Sequence, residues 1–190
     1  MTSKAIVIGG SAGSFKVVTK IISLLPKNIG FPVFICLHRL RSIRIGFAET
    51  LGIFSTLQIV EPSDKELIEP NKIYIAPSNY HMYILQNGRI GLSVEEELNH
   101  SRPSIDMTFI TASEFFKKNL LGIILSGANN DGANGLLKIK ENGGLTIAQQ
   151  PKECEVSVMP LSCIENNSAG KILTINEIIK NINIFISNNI

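Results

Sequence analysis

The sequence predicts an α/β fold: a three-layer α/β/α sandwich on a mostly parallel, doubly wound sheet, with one antiparallel β-hairpin attached. Three observations predict it. Short apolar runs at 5–8, 33–37 and 121–125 lack polar alternation, the pattern of strands covered on both faces. Two small-residue loops, 9–14 and 126–132, follow such runs and hand over to helix-period segments. Strand and helix signals then alternate along the whole chain, the order that winds a sheet between two helical layers.

Ala5 to Ile8 is the first strand, and Phe15, Val18, Ile22 and Leu25 form one face of the helix that Pro26 closes. Val33 to Leu37 is a second buried strand ending on His38-Arg39, and Ile45 to Leu51 is a weaker helical stretch. Thr56 to Val60 and Lys72 to Ala76 read as strands bracketed by turn-prone Pro62-Ser63-Asp64 and Pro77-Ser78-Asn79. Met82 to Leu85 and Arg89 to Val94 flank Asn87-Gly88, which predicts a type I′ hairpin with both turn residues at positive φ. Glu95-Glu96-Glu97 reads as a solvated charge run. Ser104 or Asp106 can cap a helix running through Lys118, ahead of the strand Leu121 to Leu125. A short helix through Lys140 ends at Asn142-Gly143-Gly144. Strand Leu145 to Ala148, short helix Met159 to Asn166, strand Lys171 to Thr174 and an amphipathic helix from Ile175 complete the order.

Composition narrows the function classes. The 190 residues suffice for one domain, 1–190, with a real core. Hydrophobic content of 44% and charged content of 18% exclude a disordered chain, and no apolar run approaches the roughly 20 residues that span a bilayer. The first strand follows Met1-Thr2-Ser3-Lys4 at once, leaving no room for a signal peptide, so the expected location is cytoplasmic, without membrane insertion. Cys36, Cys154 and Cys163 read as reduced thiols with no metal-like spacing. A net charge of +2 on scattered Lys and Arg leaves no nucleic-acid footprint. Neither a metal nor a cofactor is expected.

In open α/β sheets ligands meet the chain beyond the carboxyl ends of the strands, so residues just after strands are the candidates. Ser11, His38 and Asp131 pass that filter. They are the three types that serine nucleophilic catalysis requires: a hydroxyl too weak alone, an imidazole to take its proton, and a carboxylate to fix the imidazole. Ser11 also sits in Gly9-x-Ser11-x-Gly13, a pattern whose glycines permit a sharp strand-to-helix turn and whose following helix offers unpaired N–H groups. His81 is a rival base; His100, before Arg102-Pro103, is less favoured. The α/β-hydrolase order is excluded, because only eight residues precede Gly9 and no histidine follows Asp131.

The informative segments extend well beyond the Gly9-x-Ser11-x-Gly13 turn. Ile8-Gly9-Gly10-Ser11-Ala12-Gly13, Leu37-His38, Ile73-Tyr74-Ile75-Ala76-Pro77 with His81-Met82, Arg102-Pro103-Ser104-Ile105-Asp106, Gly122 to Gly127 with Asn130-Asp131-Gly132-Ala133, Ile147-Ala148-Gln149 and Val158-Met159-Pro160 follow one another in a characteristic order. On these segments the chain resembles the catalytic domain of the chemotaxis protein-glutamate methylesterases, the CheB family. The resemblance implies a serine hydrolase with Ser11, His38 and Asp131 as its triad, no cofactor, and methylated chemoreceptor cytoplasmic helices as partners. It implies release of methanol from glutamyl esters, often with deamidation of glutamines. Backbone N–H groups near Ala12 and in 128–130 are the expected oxyanion donors.

Departures from the family pattern cluster around the pocket: Ala12 and Ser14 after the nucleophile, Ala128 and Asn129 before the acid, Arg39-Leu40 after the histidine. They leave a second reading, a non-catalytic or altered-substrate relative that binds a protein in signalling. The family's usual receiver domain is not among these residues, so the expectation is a free-standing domain regulated otherwise, or a receiver outside this sequence. A nucleotide-binding module fits poorly, since neither phosphate-loop pattern occurs at 8–14.

Overall fold

A computed structural model describes residues 4–38, 46–98 and 101–188. Nine strands and six α-helices are assigned among them: β1 (Ala5–Gly10), α1 (Phe15–Ser23), β2 (Val33–Leu37), α2 (Phe47–Gly52), β3 (Gln58–Val60), β4 (Lys72–Ile75), β5 (His81–Ile84), β6 (Ile90–Ser93), α3 (Ile105–Phe116), β7 (Leu120–Ile124), α4 (Ala133–Glu141), β8 (Leu145–Gln149), α5 (Val158–Glu165), β9 (Lys171–Leu173) and α6 (Ile175–Ser187). Seven strands form one parallel sheet in the order β3-β4-β2-β1-β7-β8-β9. The chain leaves β1 first toward one edge and later, from β7, toward the other. The winding therefore reverses between β1 and β7, where an open α/β sheet forms its crevice.

Alternate residues of the central strands feed two cores, as period-2 geometry requires. Ile6, Ile8, Ile35 and Ile123 pack with Val18 and Ile22 of α1 and Ile178 and Ile182 of α6. Val7, Phe34, Cys36 and Ile124 pack with Phe109 of α3, Leu136 and Ile139 of α4, and Met159 of α5. Close helix approach needs glycine here: a Cβ on Gly9 would stand 2.5 Å from the Ile105 side chain, and one on Gly135 would stand 2.5 Å from that of Phe109. The C-terminal helix α6 starts on a capping box, with Thr174 and Glu177 each satisfying the other's backbone N–H.

The three-layer fold is as predicted, and the antiparallel hairpin is present as a separate two-stranded sheet. Its turn differs from the type I′ expectation. Gly88 has φ +75 but Asn87 does not enter the positive region. Leu85 donates to the Arg89 carbonyl and Gly88 to the Leu85 carbonyl, so the loop is Gln86-Asn87-Gly88 with glycine alone in the left-handed position. A three-residue loop places the positive-φ requirement on one residue, and the Asn87 side chain accepts from the Arg89 N–H instead. Helix α3 stops at Phe116, two residues short of the expected Lys118, and a single 3-10 turn (Lys117–Asn119) leads into β7.

Candidate active site

Ser11 leaves β1 immediately beyond the register pair Gly10 and Leu37, and His38 leaves β2 at the same level, its N–H donating to the Gly10 carbonyl at 3.1 Å. The two residues therefore leave adjacent strands at the same level. Strand parity sets the faces. Gly9 and Cys36 look toward α3, Gly10 and Leu37 toward α1, and His38 continues the alternation on the α3 side, where it meets the carboxylate that caps that helix.

The loop after β7 is stitched to the Ser11 turn. The Ser11 N–H donates to the Ser126 carbonyl at 2.9 Å, and the Ser126 hydroxyl donates to the Ala12 carbonyl at 2.7 Å. On the other side the Ser14 N–H and hydroxyl both donate to the Ser11 carbonyl, at 3.0 and 2.6 Å. Gly13 completes the bend at φ +79, where an added Cβ would lie 2.4 Å from the Glu155 Cβ. Gly13→Ala is accordingly expected to cost roughly 1–3 kcal/mol of stability, read as a lower urea midpoint at unchanged slope.

Asp131 anchors the constellation. Its fully buried carboxylate accepts from His38 Nε2 at 2.8 Å, from the N–H groups of Ile105 at 2.7 Å and Asp106 at 3.1 Å, and from the Ser104 hydroxyl at 3.1 Å. The carboxylate thus sits on the N-terminus of α3, where the helix dipole favours an anion. Burial pushes its pKa up, but the bond from His38 and the two backbone N–H groups outweigh that and hold it below the usual carboxylate value. An ionised carboxylate only accepts, so Nε2 of His38 carries a proton and, in the neutral ring, Nδ1 keeps the lone pair.

Nδ1 faces the Ser101 hydroxyl at 3.4 Å. Among the described residues the Ser11 hydroxyl makes no hydrogen bond to the ring, and Ser11 is half-buried. The structure thus joins His38 to Asp131 directly, and Ser11 and His38 leave adjacent strands at the same level. Backbone N–H groups of Ala12, Ala128 and Asn129 have no protein acceptor among the described residues, so both loops beside Ser11 carry available donors.

His81, the rival base, is committed elsewhere. It is buried, its Nδ1 accepts from the Ser104 N–H at 3.1 Å, and its Nε2 donates to the Glu96 carbonyl at 3.0 Å. One nitrogen supports the start of α3 and the other ties down the segment after β6. His100 and Arg39-Leu40 lie outside the described residues. The thiols are poor nucleophiles: burial pushes Cys163 to about 12 and Cys154 to about 11. Among the described residues no three His, Cys, Asp or Glu side chains are grouped to hold a metal.

Three contributors were given no role at the site by the sequence reading. Ser101 carries no motif of its own, Ser126 lies in the Gly122 to Gly127 segment, and Ser104 lies in the Arg102 to Asp106 segment, where it was also legible as the helix cap it is, accepting from the Met107 N–H. Ser104 stands next to a readable helix start, which was the available signal. Ser101 meets His38 across 63 positions, and no local pattern encodes that.

The family model described as CheB methylesterase matches residues 6–182. A Leptospira interrogans protein is 42% identical over 178 residues, covering 94% of this chain and 92% of its own length. The protein-glutamate methylesterase/protein-glutamine glutaminase of Clostridium acetobutylicum is 34% identical, and the protein-glutamate methylesterase FrzG of Myxococcus xanthus is 33% identical. Over 90% of this chain is matched in both, but it spans only about half the length of each, 51% and 52%. The crystal structure of the Thermotoga maritima CheB methylesterase catalytic domain superposes with a TM-score of 0.90 at 33% identity, covering 98% of each chain.

Proposed function

Because this chain belongs to the CheB methylesterase family, we propose that it hydrolyses glutamyl methyl esters, and glutamine amides by the same route, with Ser11 as nucleophile, His38 as general base and Asp131 as its orienting acid. The observation that carries the reading is the 2.8 Å contact of Asp131 with His38, which leaves β2 at the level where Ser11 leaves β1. Asp131 keeps the proton on Nε2 and leaves Nδ1 available as the base.

The chemistry then runs in two halves. Nδ1 takes the Ser11 proton as Oγ bonds to the ester carbon, and the oxyanion turns toward N–H donors of the Ala12 and 128–129 loops. Collapse breaks the carbon–methoxy bond, and the imidazolium returns the proton so that methanol leaves. Water, deprotonated by Nδ1, then attacks the acyl-enzyme; the Ser11 oxygen leaves with that proton and a glutamate carboxylate is released. With an amide the first leaving group is ammonia.

The substrates proposed are methylated cytoplasmic helices of chemoreceptors, which is why a cytoplasmic location follows from the reading. No helix among the described residues is long and apolar enough to cross a membrane. The test is methanol release from a purified, methylated receptor cytoplasmic segment, with ammonia measured in parallel from its unmodified glutamine form. Methanol at the expected rate supports the esterase. No release, together with no labelling of Ser11 by a serine-directed phosphonate, favours the protein-binding relative.

A further inference from the structure

The base of this site is held by two residues outside the proposed triad. Nδ1 of His38, the atom left with the lone pair, faces the Ser101 hydroxyl at 3.4 Å. That oxygen accepts from Asn129 Nδ2 at 3.3 Å, and Asn129 Oδ1 accepts from the Asp131 N–H at 3.3 Å. With the His38 Nε2–Asp131 bond, these contacts close a circuit: His38 to Asp131, Asp131 to Asn129, Asn129 to Ser101, Ser101 back to His38.

Directions around the circuit are settled by chemistry. Oδ1 of Asn129 faces an N–H, so its NH2 faces Ser101. Ser101 receives that N–H on oxygen, and because Nδ1 offers only a lone pair, a hydrogen bond between the two is one the Ser101 hydroxyl donates. A single bond at Nε2 leaves the imidazole free to turn about that contact, whereas a second contact at the opposite nitrogen fixes the ring plane.

From this geometry we propose that Ser101, oriented by Asn129, is a positioning residue for the general base of the esterase reading above. It fixes the plane of the His38 ring and occupies Nδ1 until Ser11 takes its place. The 3.4 Å separation is at the long end for a hydrogen bond, so the exchange to Ser11 is cheap. Ser101 is itself buried, while Ser11 is half-buried beside two loops with available N–H donors, which makes Ser101 the holder and Ser11 the attacker.

The experiment is inactivation of the full chain by a serine-directed phosphonate, followed over concentration, with the labelled peptide identified by mass spectrometry. This reads the activation of Ser11 without requiring the natural substrate. Ser101→Ala is expected to lower the maximal inactivation rate about tenfold, the equivalent of one ordinary hydrogen bond, with half-saturating concentration and melting temperature unchanged. Ser101→Thr, which keeps the hydroxyl, recovers most of the rate. Asn129→Ala gives a similar loss, and the double variant falls within about twofold of Ser101→Ala because both act through one chain of contacts.

A wild-type or faster rate in Ser101→Ala, fully additive losses in the double variant, or label on Ser101 would each overturn the proposal. Should Ser101→Ala not fold, Asn129→Ala decides alone, an unchanged rate overturning it. A wild-type chain that takes no label overturns the Ser11 reading along with this one, whereas a Ser101→Ala chain labelled at full speed overturns this one only.

Discussion

Ser11→Ala is expected to lower ester hydrolysis by on the order of 10⁶-fold while leaving the fold as stable as before. The two halves of that expectation rest on different observations. The Ser11 hydroxyl makes no hydrogen bond among the described residues, and the turn is held by the Ser11 backbone, through Ser126 and Ser14. Removing one half-buried oxygen therefore changes stability by less than about 0.5 kcal/mol. On the proposed mechanism, in contrast, the acyl-enzyme cannot form without that oxygen, and what survives is binding and the oxyanion donors alone. Methanol release and a thermal melt, run on the same preparations, check both halves. Substantial turnover in the variant would mean that another nucleophile does the work.

Asp131→Asn is expected to slow hydrolysis on the order of 10⁴-fold, and here stability falls too. An amide can accept through one oxygen only, and its NH2 must then face His38 Nε2 or the N–H groups at the start of α3. Either the ring is left with the wrong tautomer or two donors oppose each other. The wild-type carboxylate also sets an acid limit. Its pKa in the folded chain lies below the ordinary 3.8, so its contribution to stability is complete above pH 3.8 and is lost as pH falls through the folded value. Urea titrations of both proteins between pH 6 and 2.5 check this: the stability gap between wild type and Asp131→Asn should be constant above about pH 4 and shrink below it. A gap that widens on acidification would contradict the charged, helix-capping role.

The positions of these side chains were legible to different degrees. Ala5 to Ile8, Val33 to Leu37 and Leu121 to Leu125 declared themselves as buried strands because both faces demand apolar residues, and all three lie in the middle of the sheet. Knowing where strands stop was enough to nominate Ser11, His38 and Asp131. The same logic nominated His81, which instead opens the separate hairpin and spends both nitrogens on α3 and the Glu96 carbonyl. The hairpin turn misled for a local reason: Asn-Gly suits both two- and three-residue loops, and Gly88 alone took the positive φ.

Asp131 shows most plainly where local reading ends. In the chain it looks like a turn residue ahead of α4, yet its carboxylate caps α3, whose start lies 26 positions earlier. Ser101 and Asn129 likewise gain their meaning only from the ring of His38.

By itself the sequence determined the layers, the strand ends and the chemical types available there, because periodicity, glycine placement and helix caps act over a few residues. The tertiary structure alone decided which imidazole meets the carboxylate and which hydroxyl lies against its other nitrogen. Those choices depend on strand order and register between segments far apart in the chain, and the sheet fixes them only when both faces are packed.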